Sequence, residues 1–155
     1  MLPAIHTRTA GKELPSNISL LTDANTFTVT TGHQLCLFTG PLYLCYKILT
    51  VINLAEKLKQ EYPDKNFVPL FWMASEDHDF EEVNHFHLCG KKVTWEAEAG
   101  NAVGRMSVDG VSDVITALKE QLQSDESAIR VLSIFERAYS NQENLANATR
   151  ALVHS

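Results

Sequence analysis

Five acidic residues surround a histidine in one short segment of the chain. They are Glu76, Asp77, Asp79, Glu81 and Glu82, with His78 between them. A histidine flanked by carboxylates can have its imidazole oriented and its pKa raised, which suits general acid–base catalysis. The same cluster could hold a divalent cation. A structural interpretation is also open, because Asp79 and Glu82 have the spacing of a helix capping box.

A second candidate site begins at Thr31-Gly32-His33-Gln34 and continues to Thr39-Gly40-Pro41. A glycine turn followed by the start of a helix offers backbone N–H groups and a positive dipole end to a phosphate or carboxylate. The segment matches neither a Walker A loop nor the GxGxxG motif. Lys47, further along the predicted helix, could reach an anion here or extend to solvent. The same residues would also suit ordinary turns with a histidine on the surface.

Three further groups could carry chemistry. Arg105 follows a glycine-containing loop and could hold a carboxylate through two hydrogen bonds, or it could be a solvated surface residue. His85, His87 and Cys89 alternate along a predicted strand and share one face. That face could bind zinc, although a paired-strand surface is the simpler interpretation. Cys36 has no adjacent basic residue, so we do not expect a reactive thiolate there.

Two predicted strands and the helix between them would bring the first two segments together. The β-branched run 26–31 predicts a strand that ends at Gly32, and the apolar run 67–74 predicts a central parallel strand. Between them, residues 42–60 predict a helix that is apolar on most sides and therefore largely buried. In α/β sheets, ligands bind at the carboxyl ends of parallel strands. Both candidate segments follow such an end, so we expect them to converge.

The remainder of the chain predicts a hairpin and several helices. Residues 85–88 and 92–96 flank a glycine turn and predict a β-hairpin, and 105–108 predict a short strand. Helical patterns follow at 111–122, 128–139 and 145–153. The last pattern reaches Ser155 without a glycine or proline stop signal, so we expect this chain to be an incomplete piece of a longer one.

Composition and charge exclude several classes of protein. The chain has 155 residues, 45% of them hydrophobic, and a formal net charge of −6. An apolar share of this size indicates a folded domain, and an acidic chain is not expected to bind nucleic acid or an anionic membrane. No apolar run is long enough to span a bilayer. The three cysteines lack CxxC spacing and no signal peptide is recognisable, which favours a reduced, cytoplasmic protein.

Taken together, the two candidate segments resemble the signature of the BshC family, the cysteine-adding enzymes of bacillithiol synthesis. The first is TGHQLCLFTGPLY at 31–43, followed by Tyr46 and Lys47. The second is VPLFWMASEDHDFEEV at 68–83. The resemblance runs from Phe27 to Trp95, and Gly104-Arg105-Met106 extends it.

The resemblance implies a Rossmann-like core similar to that of class I aminoacyl-tRNA synthetases. We therefore expect an α/β fold over 1–155: a lead-in at 1–25, a partial Rossmann-like parallel sheet with a β-hairpin at 26–108, and C-terminal helices at 109–155. The implied reaction joins the carboxyl group of cysteine to the amine of glucosaminyl malate. Activation of a free carboxylate is expected to use ATP.

The hypothesis for the site assigns two tasks. Gly32, His33, Gln34 and Gly40 would help to hold a phosphate-like group, and His78, oriented by Asp77 or Asp79, would take the proton of the attacking amine. The expected catalytic residues are His33, Asp77, His78 and Asp79. The expected binding residues are Gly32, Gln34, Thr39, Gly40, Lys47, Ser75, Glu76 and Arg105, and no metal ligand is assigned.

Members of this family are much longer than 155 residues. We expect the full-length form to be a homodimer through regions that this chain lacks, and this piece alone to be inactive. Two other functions stay open. One is a metal-dependent hydrolase that uses Glu76, Asp77, His78 and Asp79, and the other is a noncatalytic module that binds a nucleotide or another anion.

Overall fold

The computed structural model describes residues 16–97, 100 and 102–154. Within them the chain forms two compact units. The first consists of residues 16–31 and 48–71, and the second of residues 32–47 and 72–154. Residues 1–15, which make up most of the predicted lead-in, lie outside the described residues.

A strand–helix–strand arrangement forms the first part of the described chain. Its elements are α1 (Ser16–Leu20), β1 (Thr26–His33), α2 (Tyr43–Glu61) and β2 (Asn66–Met73). The Asn66 N–H donates to the Asn25 carbonyl where the pair of strands begins, and the Ala74 N–H donates to the His33 carbonyl where it ends. The two strands therefore run in the same direction. The predicted βαβ unit and the α/β fold class are confirmed.

Helix α2 is more exposed than its sequence predicts. Val51 and Ala55 are buried, but large apolar side chains on other faces are open to solvent, among them Tyr43 and Tyr46 at 61% each. The prediction of a largely buried helix is wrong within the described residues, because they cover only part of its apolar surface. No helix in that part of the chain is long and apolar enough to cross a bilayer.

Strand β2 departs from its prediction in a similar way. Its continuous apolar sequence predicts a central strand, but within the described residues its only partner is β1. Trp72, near its end, is 66% exposed. A continuous apolar sequence shows that a strand could be buried on both faces. Whether it is buried depends on the other segments that pack against it.

The second unit holds the main hydrophobic core. Its helices are α3 (Phe80–Val83), α4 (Val111–Gln121), α5 (Glu126–Tyr139) and α6 (Leu145–Val153). Helix α5 packs against both α4 and α6, and core residues such as Leu37, Val103 and Leu145 are fully buried. Asp125 begins α5 by accepting the N–H groups of Ser127 and Ala128. The three predicted C-terminal helices are confirmed.

The hairpin is confirmed, with a tighter turn than predicted. Strand β3 (His85–Leu88) pairs antiparallel with β4 (Lys91–Thr94), so that His85 faces Thr94 and Leu88 faces Lys91. The turn contains only Cys89 and Gly90, with φ of 49° and 77°. Two successive positive φ values match the twist of the strands, which is why the glycine lies here.

The strand predicted at 105–108 is wrong. Val103–Arg105 forms a 3₁₀ turn instead. The N–H of Val103 donates to the Asp77 carbonyl at 2.7 Å, and that of Gly104 donates to the Ser75 carbonyl at 2.9 Å. Backbone donors that bond to the loop after β2 are not available for a strand ladder.

Candidate active site

The loop between β1 and α2, which we call the signature loop (residues 34–42), has an unusual backbone. Its 3₁₀ turn, Leu37–Thr39, includes φ values of +58° at Phe38 and +144° at Thr39, and Gly40 follows with +61°. Positive φ is unfavourable for a residue with a Cβ, so Phe38 and Thr39 are strained. At Gly40 a Cβ would lie 2.4 Å from the Cβ of Cys36. Position 40 therefore requires glycine.

Gln34 joins the signature loop to the acidic segment. Its amide Nε2 donates to Oδ2 of Asp77 at 2.8 Å and to Oε2 of Glu82 at 2.9 Å. A side-chain amide has two N–H donors, so these two carboxylates use both. The predicted convergence of the two segments is confirmed by these bonds.

Asp77 is occupied by hydrogen bonds to its neighbours. While Oδ2 accepts from Gln34, Oδ1 accepts from the backbone N–H groups of His78 at 2.7 Å and Asp79 at 3.2 Å. These donors, Gln34 first among them, hold the pKa of the Asp77 carboxyl below its usual range. A carboxylate stabilised in this way is a weak proton acceptor. Its bonds instead fix the turn that presents His78.

Asp79 begins helix α3. Its Oδ1 accepts the N–H of Glu82 at 3.2 Å, so the capping role is confirmed for Asp79 alone. The Glu82 side chain bonds to Gln34 and does not complete a capping box. In the described part of the chain, no hydrogen bond joins the His78 imidazole to Asp77 or Asp79. The catalytic roles of these three residues remain predictions.

A cationic group lies on the other side of the signature loop. Nζ of Lys47 donates to the Gly32 carbonyl at 3.0 Å and lies 4.6 Å from the ring centroid of Tyr43. The His33 ring packs edge-on against the same tyrosine, with centroids 6.4 Å apart. The ion pairs of the described residues do not include Lys47. Its charge is therefore available to an anion.

The contact of His33 Nδ1 with a carbonyl favours one tautomer of the ring, although the Cys36 Sγ lies 4.0 Å from the same nitrogen. Nδ1 lies 3.1 Å from the Gln34 carbonyl oxygen. A carbonyl only accepts, so this bond requires a proton on Nδ1, and in the neutral ring the lone pair is on Nε2. Neutral His33 can then accept a hydrogen bond at Nε2, whereas the protonated ring can donate one there.

The turn Val103–Arg105 closes against the acidic segment from a third direction. Ser75 is covered by Gly104, where an ideal Cβ would lie 2.5 Å from the Ser75 Cβ. Arg105 Nη2 pairs with Glu76 Oε2 at 2.7 Å, and both side chains are about two-thirds exposed, at 69% and 67%. Arg105 therefore holds a carboxylate, as its sequence context suggested, but one from its own chain. The sequence alone did not predict the close approach of Gly104 to Ser75. An isolated glycine in Gly104-Arg105-Met106 was a signal for such an approach.

Thr39 and Gly40 have a different position from the other predicted site residues described so far. They line a cavity of about 750 Å³, together with Cys36, Glu82 and mostly apolar side chains of β3, α4 and α5. Burial, and next to it the charge of Glu82, raises the pKa of the half-buried Cys36 thiol. The thiol is therefore not a ready nucleophile at neutral pH.

No metal centre is formed by the part of the chain that the structure describes. No three His, Cys, Asp or Glu side chains converge there in a way that could hold an ion. His85 and His87 pack against each other on the hairpin with ring centroids 5.8 Å apart. The two rings form part of the paired-strand surface of the hairpin.

We predict that Gln34→Glu destabilises the second unit at neutral pH. The substitution replaces two N–H donors by a carboxylate that must lie against Asp77 and Glu82. In the wild type, the low pKa of Asp77 contributes stability that is present above the unfolded-state pKa and is lost as the pH falls through the folded-state pKa. In the variant, three carboxylates lie close together, and their mutual repulsion raises their pKa values. Protonation at lower pH removes this repulsion, so acidification should restore stability.

Chemical denaturation of the full-length protein from pH 7 to pH 4 measures this difference. The exposed Gln121→Glu, on α4, is the matched control, because it adds the same charge away from other carboxylates of the bridge. If the Gln34→Glu protein lost stability on acidification in parallel with the wild type, the result would contradict the hydrogen bonds from Gln34 to Asp77 and Glu82.

We predict that Arg105→Ala changes the free energy of unfolding by less than about 1 kcal/mol, and that this change disappears in concentrated salt. Two exposed ions gain little from pairing in water. Lys119→Ala is the control, since Lys119 pairs with Glu136 at 2.6 Å elsewhere in the same unit. An effect that exceeded 2 kcal/mol, or that persisted in salt, would show that Arg105 supports the site by packing.

Comparison with known proteins agrees with the two signature segments. A family model described as "Bacillithiol biosynthesis BshC, N-terminal Rossmann-like domain" matches residues 1–155. The name "Putative cysteine ligase BshC" is carried by a protein of Flavobacterium johnsoniae, 50% identical over 139 residues, which are 90% of this chain and 26% of the relative. A protein of Christiangramia forsetii with the same name is 47% identical over 150 residues, 94% of this chain and 28% of the relative.

A more distant relative keeps the same coverage. The protein of that name from Natranaerobius thermophilus is 34% identical over 145 residues, 89% of this chain and 26% of the relative. The chain thus spans about a quarter of the length of these curated relatives. Because the family model matches residues 1–155, the chain belongs to the BshC family and corresponds to its N-terminal Rossmann-like domain.

Proposed function

We propose that the full-length protein is a cysteine ligase, which joins the carboxyl group of cysteine to the amine of glucosaminyl malate in bacillithiol synthesis. The observation that carries this proposal is the Gln34 bridge, because it holds the acidic segment beside the start of the signature loop, next to His33 at the end of β1. Amide formation needs groups that hold an anionic substrate and a group that accepts the proton of the amine. Both kinds of group adjoin this bridge.

The anion would be held on the side of Lys47 and His33. The Lys47 ammonium has a carbonyl and a ring face as partners, so binding a carboxylate or phosphate adds a charge-assisted bond without breaking an ion pair. His33 packs on the same tyrosine ring, and in its protonated form it can donate a hydrogen bond from Nε2 to the anion. This donor set suits ATP as well as the cysteine carboxylate, and ATP would supply the leaving group that a free carboxylate lacks.

The proton of the attacking amine would go to His78. Asp77 is a poor acceptor because three N–H groups already stabilise its charge, and Asp79 caps α3. The imidazole of His78 is exposed, and its backbone is fixed by Asp77. As the amine nitrogen bonds to the acyl carbon, the bond from that carbon to its leaving group breaks, and the amine proton moves to the imidazole.

A coupled assay of the full-length protein with cysteine, glucosaminyl malate and ATP tests the proposal. We expect the amide product by mass spectrometry, formed only when all three are present. Identification of AMP or ADP as the second product shows which bond of ATP is used. Binding of ATP without product would overturn the ligase and favour the noncatalytic nucleotide-binding module.

Two further proposals concern the cell. The thiols of Cys36, Cys45 and Cys89 are free, which suits a reducing compartment, so we place the protein in the cytoplasm. A homodimer of the full-length form is proposed as well. Sedimentation of the purified full-length protein measures the mass directly.

A further inference from the structure

We infer that Tyr139, far along the chain on helix α5, is a positioning residue that holds the signature loop in its strained shape. The inference rests on the proposed function, since it assigns to Tyr139 an effect on ligase turnover. Tyr139 does not lie among the residues proposed to contact substrate. It acts through Phe38, and the contacts between these two residues carry the argument.

The first contact is a buried hydrogen bond. The N–H of Phe38 donates to the Tyr139 hydroxyl oxygen at 2.9 Å, and both residues are only 5% exposed. A strained turn cannot direct all its N–H groups into regular bonds, and an unpaired buried N–H is unfavourable. Burial raises the pKa of Tyr139, so the hydroxyl stays neutral at physiological pH. Its oxygen is a permanent acceptor for this one donor.

The second contact is an aromatic cluster around the Phe38 ring. Phe135 stacks on it with centroids 4.7 Å apart and ring planes 7° from parallel, and Tyr139 meets it edge-on at 5.4 Å. Phe135 and Tyr139 are four residues apart on α5, so one face of the helix presents both rings. Phe86 of β3 adds a third ring contact, edge-on, at 5.4 Å. The side chain of Phe38 is thereby fixed together with its backbone.

Strain makes this support necessary. Phe38 and Thr39 both have positive φ, which neither residue type favours, and such conformations persist only where the surroundings enforce them. Most of the described contacts that hold Phe38 in this conformation come from α5. Without the hydroxyl, the Phe38 N–H loses its hydrogen-bond acceptor, and the strained conformation of the turn becomes less stable relative to a relaxed one.

Relaxation of the turn would reach the proposed site directly. The signature loop connects His33 and Gln34 on one side with the start of α2, which carries Lys47, on the other. Gly40 donates its N–H to Leu37 across the turn at 3.0 Å, so a change at Phe38 alters how α2 begins. The spacing between His33 and Lys47 depends on that geometry.

The variant Tyr139→Phe of the full-length protein tests the inference, because it removes the hydroxyl and keeps the ring. At a temperature well below unfolding we expect ligase turnover to fall about tenfold, with little change in KM, and exchange of the Phe38 amide hydrogen to rise by at least about tenfold. Val114→Ala, a half-buried change on α4, controls for lost core stability. It should lower the unfolding temperature and leave turnover unchanged.

Each result decides the question. Turnover within twofold of the wild type, or unchanged exchange at Phe38, would overturn the inference. So would equal losses of turnover in Tyr139→Phe and Val114→Ala, since these would show a role in stability alone. If the wild type proves not to be a ligase, the proposed function fails, and the exchange measurement still decides whether Tyr139 holds the loop.

Discussion

Gly104→Ala should destabilise the second unit by roughly 3 kcal/mol or more, although it adds only one methyl group. An ideal Cβ at this position would lie 2.5 Å from the Ser75 Cβ, 2.7 Å from its carbonyl oxygen and 2.8 Å from its Cα. Two of these three atoms are backbone, so no side-chain rotation can relieve the clash. Turnover should fall too, because the Val103 and Gly104 N–H groups must leave the carbonyls of Asp77 and Ser75.

Chemical denaturation of the full-length protein measures the effect, with Gly100→Ala as the control. A Cβ at Gly100 meets no atom of the described residues within 4 Å, so this change should stay within about 0.5 kcal/mol of the wild type. Adding Ser75→Gly to Gly104→Ala removes one clashing atom and leaves the two backbone atoms in place. The double variant should therefore recover little, and full recovery would contradict the proposed packing.

His78→Ala should lower ligase turnover by about a hundredfold or more, the range expected when a general base is lost. The backbone turn at Asp77 does not depend on the imidazole, so the free energy of unfolding should barely change. In a profile of kcat against pH, the variant should also lose the limb that reports protonation of the base. This limb separates a catalytic role from a structural one.

His87→Ala is the matched control, because His87 is exposed on the hairpin and has no assigned role. It should keep wild-type turnover. If His78→Ala also retained wild-type turnover, or lost turnover with the acid limb of its profile intact, His78 would not be the base, and Asp79 would become the next residue to substitute.

Local sequence signals predict the scaffold of the site well. The β-branched composition of the run before Gly32 and the short length of the continuous apolar run before Ser75 favour strands, and parallel strands place their carboxyl ends together. The Gln34–Asp77 bond follows from that topology. Helices 111–121 and 145–153 have apolar residues on one face and were equally readable.

Features that depend on distant partners could not be predicted. Neither phenylalanine nor threonine favours positive φ, so the sequence around Phe38 and Thr39 does not predict it. The conformation depends on contacts with Phe135 and Tyr139, which are distant in the chain. The apolar sequence of α2 shows which faces of the helix could be buried. At Tyr46 no segment among the described residues covers the side chain, so it stays exposed. The sequence suggested that Asp77 orients an imidazole, but the donors to its carboxylate are the Gln34 amide and two backbone N–H groups.

The bond between Phe38 and Tyr139 has a consequence for synthesis on the ribosome, because its two residues are 101 positions apart. Translation adds about 5–20 residues per second, so the loop waits roughly 5–20 s for its acceptor to be made. During that interval β1 and the start of α2 exist without the rings that enforce the turn. We expect the native loop to form late, once helix α5 has docked, and to raise the contact order of this unit.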